Sequence, residues 1–401
     1  MAVNNPRGAL FRVIEPNQHG RVTFVELFFD LVFVYAVTQI SHYLLGHFTL
    51  LGAFQTGMLF LAVWWVWVYT AWVTNWLDPE KALVRALLFA LMLAGLMLSM
   101  SIPRAFEDRG LWFALAYAVM QVGRTAFWWT ATPPQRAAVR RNAARILSWL
   151  STSAMLWLLG GFADGSTRMA LWSAALALEY VSPAVRFWVP RLGASTVEDW
   201  MVEGGHMAER CAGFIIIALG ESIVVTGATF ADLEWTGANA AAFACAFVGT
   251  VAMWAVYFNR GAEAGAEMIS QSRQSGLVAR SAYTYLHMPI VAGIIVSAVG
   301  DEIVLKHPLG HTDFTAAAVL IGGPFVFLAG TILFKREVRG FLQLSHGAGL
   351  LGLIGLVWFA TALSPLVLSA LTSALLAIVA LWEVLSLRSK PEPHASSATS
   401  A

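Results

Sequence analysis

The stretch TFVELFFDLVFVYAVTQISHYLL, residues 23 to 45, combines an apolar run of membrane-spanning length with two acidic side chains. A helix needs about 20 predominantly apolar residues, at about 1.5 Å per residue, to cross a bilayer. Glu26 and Asp30 lie inside this run, where a charged carboxylate costs about 2.5 to 3.5 kcal/mol on insertion scales. Acids within a membrane segment usually have a function, so Glu26 and Asp30 are the first candidate site residues.

The composition extends this interpretation to the whole chain of 401 residues. Hydrophobic residues make up 58% of it and charged residues only 12%, whereas soluble domains carry about 25% charged residues. We therefore predict an all-α, polytopic membrane helix bundle whose main partner is the lipid bilayer. The net charge of +1 gives no reason to expect a nucleic-acid partner. Cys211 and Cys245 both lie in apolar runs, which argues against a disulfide framework or a cysteine metal site.

Twelve apolar runs are long enough to be transmembrane helices. They lie near residues 24–46, 50–75, 83–101, 111–131, 144–162, 169–189, 205–228, 236–258, 281–299, 313–334, 345–362 and 366–387. Cytoplasmic loops of membrane proteins carry an excess of Lys and Arg. With the N-terminus inside, the cytoplasmic segments hold 19 of the 25 Lys and Arg residues and the outside segments hold four. This asymmetry predicts that both termini are cytoplasmic.

The spacing of the twelve runs indicates two halves. An offset of 183 residues places Glu26 on Glu209 and the first helix on the seventh, both running outward. Six helices per half would make this a parallel repeat. The predicted organisation is a cytoplasmic leader at 1–22, a first half at 23–189, a cytoplasmic linker at 190–204, a second half at 205–387 and a disordered cytoplasmic tail at 388–401.

The acids of the first helix have structural alternatives to a functional role. At 100° per residue, Glu26 and Asp30 share one helix face. Glu26 lies about one turn from the cytoplasmic boundary, so it could instead cap the helix or pair with Arg21. Asp30 lies one turn deeper and could form a structural ion pair with a buried arginine such as Arg124.

The seventh segment, GGHMAERCAGFIIIALGESIVVTGA, repeats the pattern of buried ionisable residues with His206, Glu209, Arg210 and Glu221. Glu221 lies about 18 Å beyond Glu209 along the axis and has no cation near it in its own helix. It is the best candidate for a reversibly protonated carboxylate, and its structural alternative is a neutral, hydrogen-bonded Glu. Glycines on the face of Glu209 predict close approach of a neighbouring backbone: Gly213, Gly220 and Gly227.

Other polar residues interrupt the remaining apolar runs, and the site-forming candidates among them are Arg124, Glu179, Arg280 and His287. A single His on an apolar helix, such as His287, is more typical of a structural residue. The Trp-rich second helix favours packing and an interfacial belt over a ligand cage. His206 and Glu209 resemble half of a helical metal site, but the chain has no HExxH and no cluster of Cys and His. No metal, cofactor or nucleotide site is predicted.

Five stretches resemble a known family: VELFFDLVFVYAVTQIS (25–41), IPRAF (102–106), LEYVSP (178–183), HMAERCAGFIIIALGESIV (206–224) and YLHMPIVAGI (285–294). They are similar to the bacterial low temperature requirement A (LtrA) family, which is named for a growth phenotype. The resemblance runs from about residue 20 to residue 387. It implies a multi-pass protein of the bacterial cytoplasmic membrane and draws attention to Glu26, Asp30, Glu209 and Glu221. It assigns no role to these acids.

Ionisable residues at membrane depth on several helices are typical of ion or proton pathways. We therefore predict a secondary transporter or permeation protein for a small solute or ion, with a cavity between the two halves. The alternatives are a lipid-modifying membrane enzyme, with the carboxylates as acid and base, and a sensory or scaffolding protein whose buried charges are structural. The sequence leaves the oligomeric state open.

The transport prediction gives the ionisable residues three kinds of role. These are the proton- or cation-binding acids Asp30 and Glu221, the gate or internal salt bridge of Glu209 with His206 and Arg210, and the counter-charges Arg124 and Arg280.

Reporter fusions check the predicted topology. An even number of crossings from a cytoplasmic N-terminus returns the C-terminus to the cytoplasm. We expect green fluorescent protein fused after residue 401 to fluoresce and alkaline phosphatase at that position to be inactive. Phosphatase fused in the loop at 104–109 should be active, because this loop lies outside. An active C-terminal phosphatase would contradict the topology.

Overall fold

A computed structural model describes residues 10–12, 21–196, 198–200, 204–259 and 279–388. Within these ranges the regular structure is helical, and pairing between extended segments is limited to two isolated bridges, Phe11 with Leu77 and Val189 with Gly193. Most of the predicted leader, and the predicted tail beyond Arg388, lie outside the described residues.

The first half contains seven α-helical segments. They are α1 (Phe24–Gly46), α2 (Leu50–Trp76), α3 (Ala82–Ser101), α4 (Gly110–Ala118), α5 (Arg124–Ala131), α6 (Ala137–Phe162) and α7 (Gly165–Val181). A π-helical turn, Val119–Gly123, joins α4 to α5 without a break. The predicted fourth span is therefore one helix with a π turn at its centre.

The second half contains six α-helices within the described residues. They are α8 (Gly204–Ala231), α9 (Gly237–Phe258), α10 (His287–Lys306), α11 (Phe314–Arg339), α12 (Leu344–Val357) and α13 (Pro365–Arg388). A π-helical segment, Ala279–Tyr285, precedes α10. With α4 and α5 taken as one helix, each of the twelve predicted segments corresponds to a helix in the described parts of the chain.

The largest boundary difference is at the sixth segment, which we predicted at 169–189 and which ends at Val181. Pro183 lacks a backbone N–H, so one helical hydrogen bond is lost just after this end. Arg186 and Phe187 then take positive φ angles of 54° and 50°, which turn the chain. This early end places Pro183 and Phe187 beside other helices rather than within a membrane span.

Eight of the helices described are long and apolar enough to cross a membrane: α1, α2, α3, α8, α9, α10, α11 and α13. Large apolar side chains on their outer faces are exposed, as lipid contact requires; Leu93 is 66% exposed and Ile378 57%. The chain is therefore a membrane helix bundle. The full count of twelve crossings stays a prediction, because α4 with α5, α6, α7 and α12 do not meet the same criterion of length and apolarity.

Corresponding helices pack in both halves. In the first half α1 contacts α2 and α3, α3 contacts α4, and α6 contacts α4 and α7. In the second half α8 contacts α9 and α10, α10 contacts α11, and α12 contacts α11 and α13. The halves meet where α1 contacts α8 and α10 and where α2 contacts α8. The six-plus-six repeat, which agrees with these pairings, stays a prediction.

The Trp-rich helix α2 is largely inside the bundle. Trp64, Trp65 and Trp67 are fully buried, so these rings serve packing rather than an interfacial belt. The Trp67 ring lies 4.5 Å from that of Phe214 on α8, and Trp64 meets the same ring edge-on at 5.8 Å. These aromatic contacts help to fix α2 against the second half.

The predicted role of the α8 glycines is wrong. A Cβ atom built at Gly213, Gly220 or Gly227 would have no neighbour within 4 Å, so no backbone approaches α8 there. The close approach occurs instead between α10 and α11. A Cβ at Gly293 would lie 2.3 Å from the Phe327 backbone nitrogen.

Replacing Gly293 by alanine should therefore separate α10 from α11. We expect Gly293→Ala to cost about 1 to 3 kcal/mol, the usual range for overpacking, and to lower the melting temperature of the protein in detergent. Gly213→Ala is the matched control, because its methyl group meets open space and alanine favours a helix. Equal melting temperatures for the two variants would contradict the close packing.

Candidate functional site

Four ionisable side chains from α1 and α8 meet at the junction of the two halves. Arg210 Nη2 donates to Asp30 Oδ1 at 2.6 Å, and Arg210 Nη1 donates to Glu26 Oε1 at 3.1 Å. His206 Nε2 lies 2.8 Å from the same Glu26 oxygen. Each helix contributes its pair at spacing i, i+4, which places both members on one face. We call these four residues the junction cluster.

Glu26 is more buried than an interfacial residue. Its Oε2 accepts hydrogen bonds at 2.9 Å from the Thr23 N–H and the Thr23 hydroxyl, which stabilises the first turn of α1. Arg12 Nη2 lies 2.9 Å from the same oxygen. The capping alternative is therefore realised, and the charged partners of Glu26 include Arg12, His206 and Arg210.

Three side chains of α2 complete the surroundings of the junction cluster. Trp67 Nε1 donates to Asp30 Oδ1 at 2.7 Å, and Thr74 Oγ1 accepts from Arg210 Nη1 at 3.1 Å. Asn75 Nδ2 lies 3.2 Å from His206 Nδ1. Sequence reasoning missed these three residues. The available signal was their spacing, because residues seven and eight positions apart lie on one side of a helix.

The charges of the junction cluster balance. Two carboxylates face the guanidinium groups of Arg210 and Arg12, and His206 adds a polar contact. The four cluster side chains are at most 1% exposed, so each charge depends on its partners instead of water. Our alternative for Asp30, a structural ion pair with a buried arginine, is realised with Arg210 rather than with Arg124.

The other two acids on α8 lie away from the cluster. Glu209 is exposed and accepts a hydrogen bond from the Val22 N–H at 3.0 Å. Glu221 lies about 16 Å beyond Arg210 along the axis. It is partly buried and accepts a hydrogen bond from the Thr38 hydroxyl, with no ion pair among the described residues. The structure therefore does not bring Asp30, Glu209 and Glu221 into one site.

Arg124 and Glu179 belong to a second buried cluster, within the first half. Glu179 accepts from Tyr117, Ser153 and Trp157, and Gln121 Nε2 lies 3.3 Å from its Oε2. Arg124 donates to Gln121, to the Val66 carbonyl at 3.1 Å and to Thr70 at 3.1 Å. Gln121 lies in the π turn and thus links the acid to the arginine. Nothing in this cluster touches Asp30.

His287 lies at the start of α10 and is fully buried. Its ring nitrogens lie 2.8 Å from the Tyr257 hydroxyl and 2.8 Å from the Ala282 carbonyl. Both nitrogens are therefore occupied, which agrees with the structural role expected from the sequence. The geometry of His206 and Glu209 is also unlike half a metal site, because His206 faces Glu26 while Glu209 is exposed.

An aromatic-walled pocket lies between the halves, and its interior space is about 30 Å³. We call it the aromatic pocket. It is lined by Trp65, Tyr69, Trp72, Val73, Trp76, Thr125, Trp128, Ile146, Pro183, Phe187, Trp200, Arg280, Thr284 and Tyr285. Arg280 is the charged residue of this lining, and its Nη1 donates to the Pro183 carbonyl at 3.2 Å. The predicted counter-charge Arg280 is thus beside a pocket, whereas Arg124 is not among its lining residues.

The surface that the aromatic pocket presents is almost entirely apolar, and the polar groups of its lining residues lie behind that surface. The indole N–H groups of Trp65 and Trp128 have no hydrogen-bond partner within the described part of the chain, although both side chains are at most 2% exposed. Buried donors are usually paired. These two N–H groups and Arg280 therefore lie beside the pocket, and a ligand would reach them only after the aromatic rings move.

Comparisons with known proteins agree with the resemblance seen in the sequence. The family described as Bacterial low temperature requirement A protein (LtrA) matches residues 21–381. A relative from Rhizobium meliloti (strain 1021), described as Uncharacterized protein RA0937, is 40% identical over 375 residues, which cover 93% of this chain and 91% of the relative. No solved structure matches the chain.

The junction cluster predicts a large effect of removing Arg210. Arg210→Gln leaves two carboxylates buried without their shared guanidinium, and breaking a buried ion pair costs about 3 to 5 kcal/mol. We expect a strongly lowered melting temperature of the full chain in detergent. Adding Asp30→Asn should restore part of the loss, because one of the uncompensated charges is removed.

The matched control is Arg104→Gln, which breaks an exposed ion pair with Asp108. Exposed pairs contribute about 0 to 1 kcal/mol, so its melting temperature should stay near that of the parent. Two results would contradict a stabilising role of the junction cluster. One is a melting temperature of Arg210→Gln equal to that of the control, and the other is no increase in melting temperature when Asp30→Asn is added.

Proposed function

The chain belongs to the bacterial low temperature requirement A (LtrA) family, and we propose that this membrane protein is a secondary transporter or permeation protein for a small solute or ion. The observation that carries the proposal is the aromatic pocket between the halves. Transporter sites lie at the interface of two halves, next to interrupted helices. We also propose that the protein lies in the cytoplasmic membrane, that both of its termini are cytoplasmic and that its two halves form a parallel six-helix repeat.

Two irregular helical segments border the aromatic pocket. Thr125 lies two residues after the π turn of Val119–Gly123. Three other lining residues belong to the π-helical segment Ala279–Tyr285. π-Helical turns leave irregular backbone hydrogen bonding and occur frequently at functional sites. In a membrane such backbone is tolerated where it is buried in protein or lines a cavity. The position of both segments at one pocket supports a binding function there.

The solute class follows from the lining. Five Trp rings, Tyr69, Phe187 and Tyr285 offer an apolar surface, and Arg280 with two unpartnered indole N–H groups lies directly behind it. We infer that the pocket widens to admit a small solute with an apolar body and one carboxylate, which would then reach these donors. Glu221, which has a hydroxyl partner and no ion pair among the described residues, is the acid we assign to proton coupling. The junction cluster is assigned to holding the halves together.

A scaffolding function without transport is favoured by one observation. Glu26 and Asp30 are fully buried and ion-paired, as purely structural charges would be. That function leaves the unpartnered donors of the aromatic pocket without a purpose. The two proposals differ in whether a solute binds and moves.

Binding and flux in proteoliposomes test the proposal. Benzoate is the first probe, because it has an aromatic body and one carboxylate. We expect benzoate to change the tryptophan fluorescence saturably, since several Trp rings line the pocket, and a proton gradient to drive its uptake. Arg280→Gln should weaken binding about tenfold or more, the loss expected for a charge-assisted hydrogen bond.

The matched control is Arg85→Gln, because Arg85 is exposed and donates to the Glu80 carbonyl away from the pocket. It should bind benzoate as the parent does. Glu221→Gln should retain binding but abolish proton-driven uptake. If benzoate and a panel of other small carboxylates neither changed the fluorescence nor moved across the membrane, the scaffolding function would be favoured.

A further inference from the structure

A small oxygen-lined cavity lies inside the second half, where α9, α10, α11 and α13 pack together. It is lined by Gly249, Met253, Ser297, Asp301, Leu320, Pro324, Ser369, Thr372, Ser373 and Leu376. Its enclosed space is about 20 Å³. A space of about 10 to 15 Å³ already holds one water molecule, so this cavity admits one particle of that size.

Asp301 supplies a negative charge to this cavity without a counter-ion. It is partly buried on α10, and it forms no ion pair or hydrogen bond with any described residue. The neighbouring acid, Glu302, is bound instead to Lys306 at 2.7 Å. An acid that faces a cavity within a helix bundle, without a cation of its own, requires a mobile positive charge or a proton.

Ser297 is one turn before Asp301 on the same face of α10. Its side chain is 7% exposed, and its Oγ has no hydrogen-bond partner within the described residues. A buried hydroxyl without a partner is unusual, because burial removes its hydrogen bonds to water. The two residues therefore present an unpartnered hydroxyl and an unpartnered carboxylate to the same small space.

Helix α13 contributes two hydroxyl groups, and each donates its proton to a backbone carbonyl. Ser373 donates its proton to the Cys245 carbonyl at 3.1 Å, and Thr372 donates to the Ser369 carbonyl at 3.0 Å. A hydroxyl that donates to a carbonyl keeps lone pairs for another partner. Both groups line the cavity as acceptors, which suits a cation and not an anion.

Pro324 leaves one backbone carbonyl of helix α11 without its usual helical donor. Proline has no N–H, so the carbonyl of Leu320, four residues earlier, receives no hydrogen bond from position 324. Leu320 and Pro324 both line the cavity. Backbone carbonyls released in this way coordinate cations in membrane transporters.

Close helix packing keeps the cavity small. A Cβ atom at Gly323 would lie 2.6 Å from Ser297 Oγ, and one at Gly249 would lie 2.8 Å from Ser373 Oγ. Glycine at these two positions lets α11 and α9 approach the hydroxyl groups. The result is a space with room for about one water-sized particle.

The chemistry of the lining selects the ligand. Carboxylate, hydroxyl and carbonyl oxygens are hard ligands that suit alkali and alkaline-earth cations and not transition metals. One carboxylate neutralises one positive charge, and a divalent ion would leave a buried excess. We propose that Asp301, Ser297, Thr372, Ser373 and the Leu320 carbonyl form a binding site for a single small monovalent cation, sodium.

This site is separate from the aromatic pocket, and it does not depend on the proposed transport function. A bound sodium ion would stabilise α10 against α11 and α13 whether or not a solute moves. Where transport occurs, the ion would make the packing of the second half depend on sodium. Sodium binding and benzoate flux are therefore tested independently.

Sodium-22 binding to the purified full chain, in choline chloride buffer, is the direct experiment. We expect saturable binding of one ion per chain and a melting temperature that rises when sodium chloride replaces choline chloride at equal ionic strength. Asp301→Asn should weaken sodium binding at least about tenfold, the loss of a charge-assisted contact. Ser297→Ala should weaken it less, because one neutral ligand is lost.

Glu302→Gln is the matched control, since Glu302 is the next residue and is paired with Lys306 outside the lining. It should retain sodium binding. Asp301→Asn should also melt at the same temperature in sodium and in choline, which separates loss of the site from misfolding. The proposal is overturned if the parent binds no sodium, if it melts identically in both salts, or if Asp301→Asn binds sodium normally. Those outcomes would indicate water in the cavity.

Discussion

The guanidinium group of Arg210, shared between Glu26 and Asp30, is the constraint on which the packing of the two halves depends. An unpaired charge in this location would be far more costly than an exposed one, so each of the three residues requires the other two. Arginine suits this position because its planar fork offers several donors in fixed directions, whereas a lysine would offer one compact charge. Since the acids are on α1 and the arginine is on α8, the stability of the ion pairs is also the stability of the contact between the halves.

The fold was largely predictable because the hydropathy of a segment indicates whether that segment lies in lipid or in water. Every residue of a lipid-crossing segment faces either lipid or protein, so such helices are visible as apolar runs without any knowledge of their packing. The partner of Asp30 was not predictable in the same way. Helical periodicity shows which side chains share a face, but it does not show which helix lies opposite, so the sequence pointed to Arg124 as an example whereas the partner is Arg210. The same limit concealed Trp67 and Asn75, whose roles depend on α2 lying beside α8.

Asp301 shows a second reason why a site can be missed. In the sequence it lies next to Glu302 and five residues before Lys306, a pattern typical of a solvated helix end. Only the packing separates the two acids, because Glu302 turns to Lys306 while Asp301 faces the hydroxyl groups of α13. The aromatic pocket, too, could be predicted only in part from the sequence. Its arginine was a candidate from the sequence, but its wall depends on α7 ending at Val181, which the apolar run through residue 189 concealed.

The contact between α1 and α8 is not equally strong along its length, and this bears on how the halves could move. Near the start of the two helices it contains two ion pairs and a histidine contact, and both helices form further hydrogen bonds with α2. About 16 Å further along, the described polar link is the single hydrogen bond from Thr38 to Glu221. A single hydrogen bond contributes about 0.5 to 1.5 kcal/mol, or somewhat more with a charged partner, whereas breaking the buried ion pairs costs several times as much. Any rocking of the proposed transporter would therefore pivot at Arg210 and open at Glu221, and protonation of Glu221 would act at the end of the interface that resists opening least.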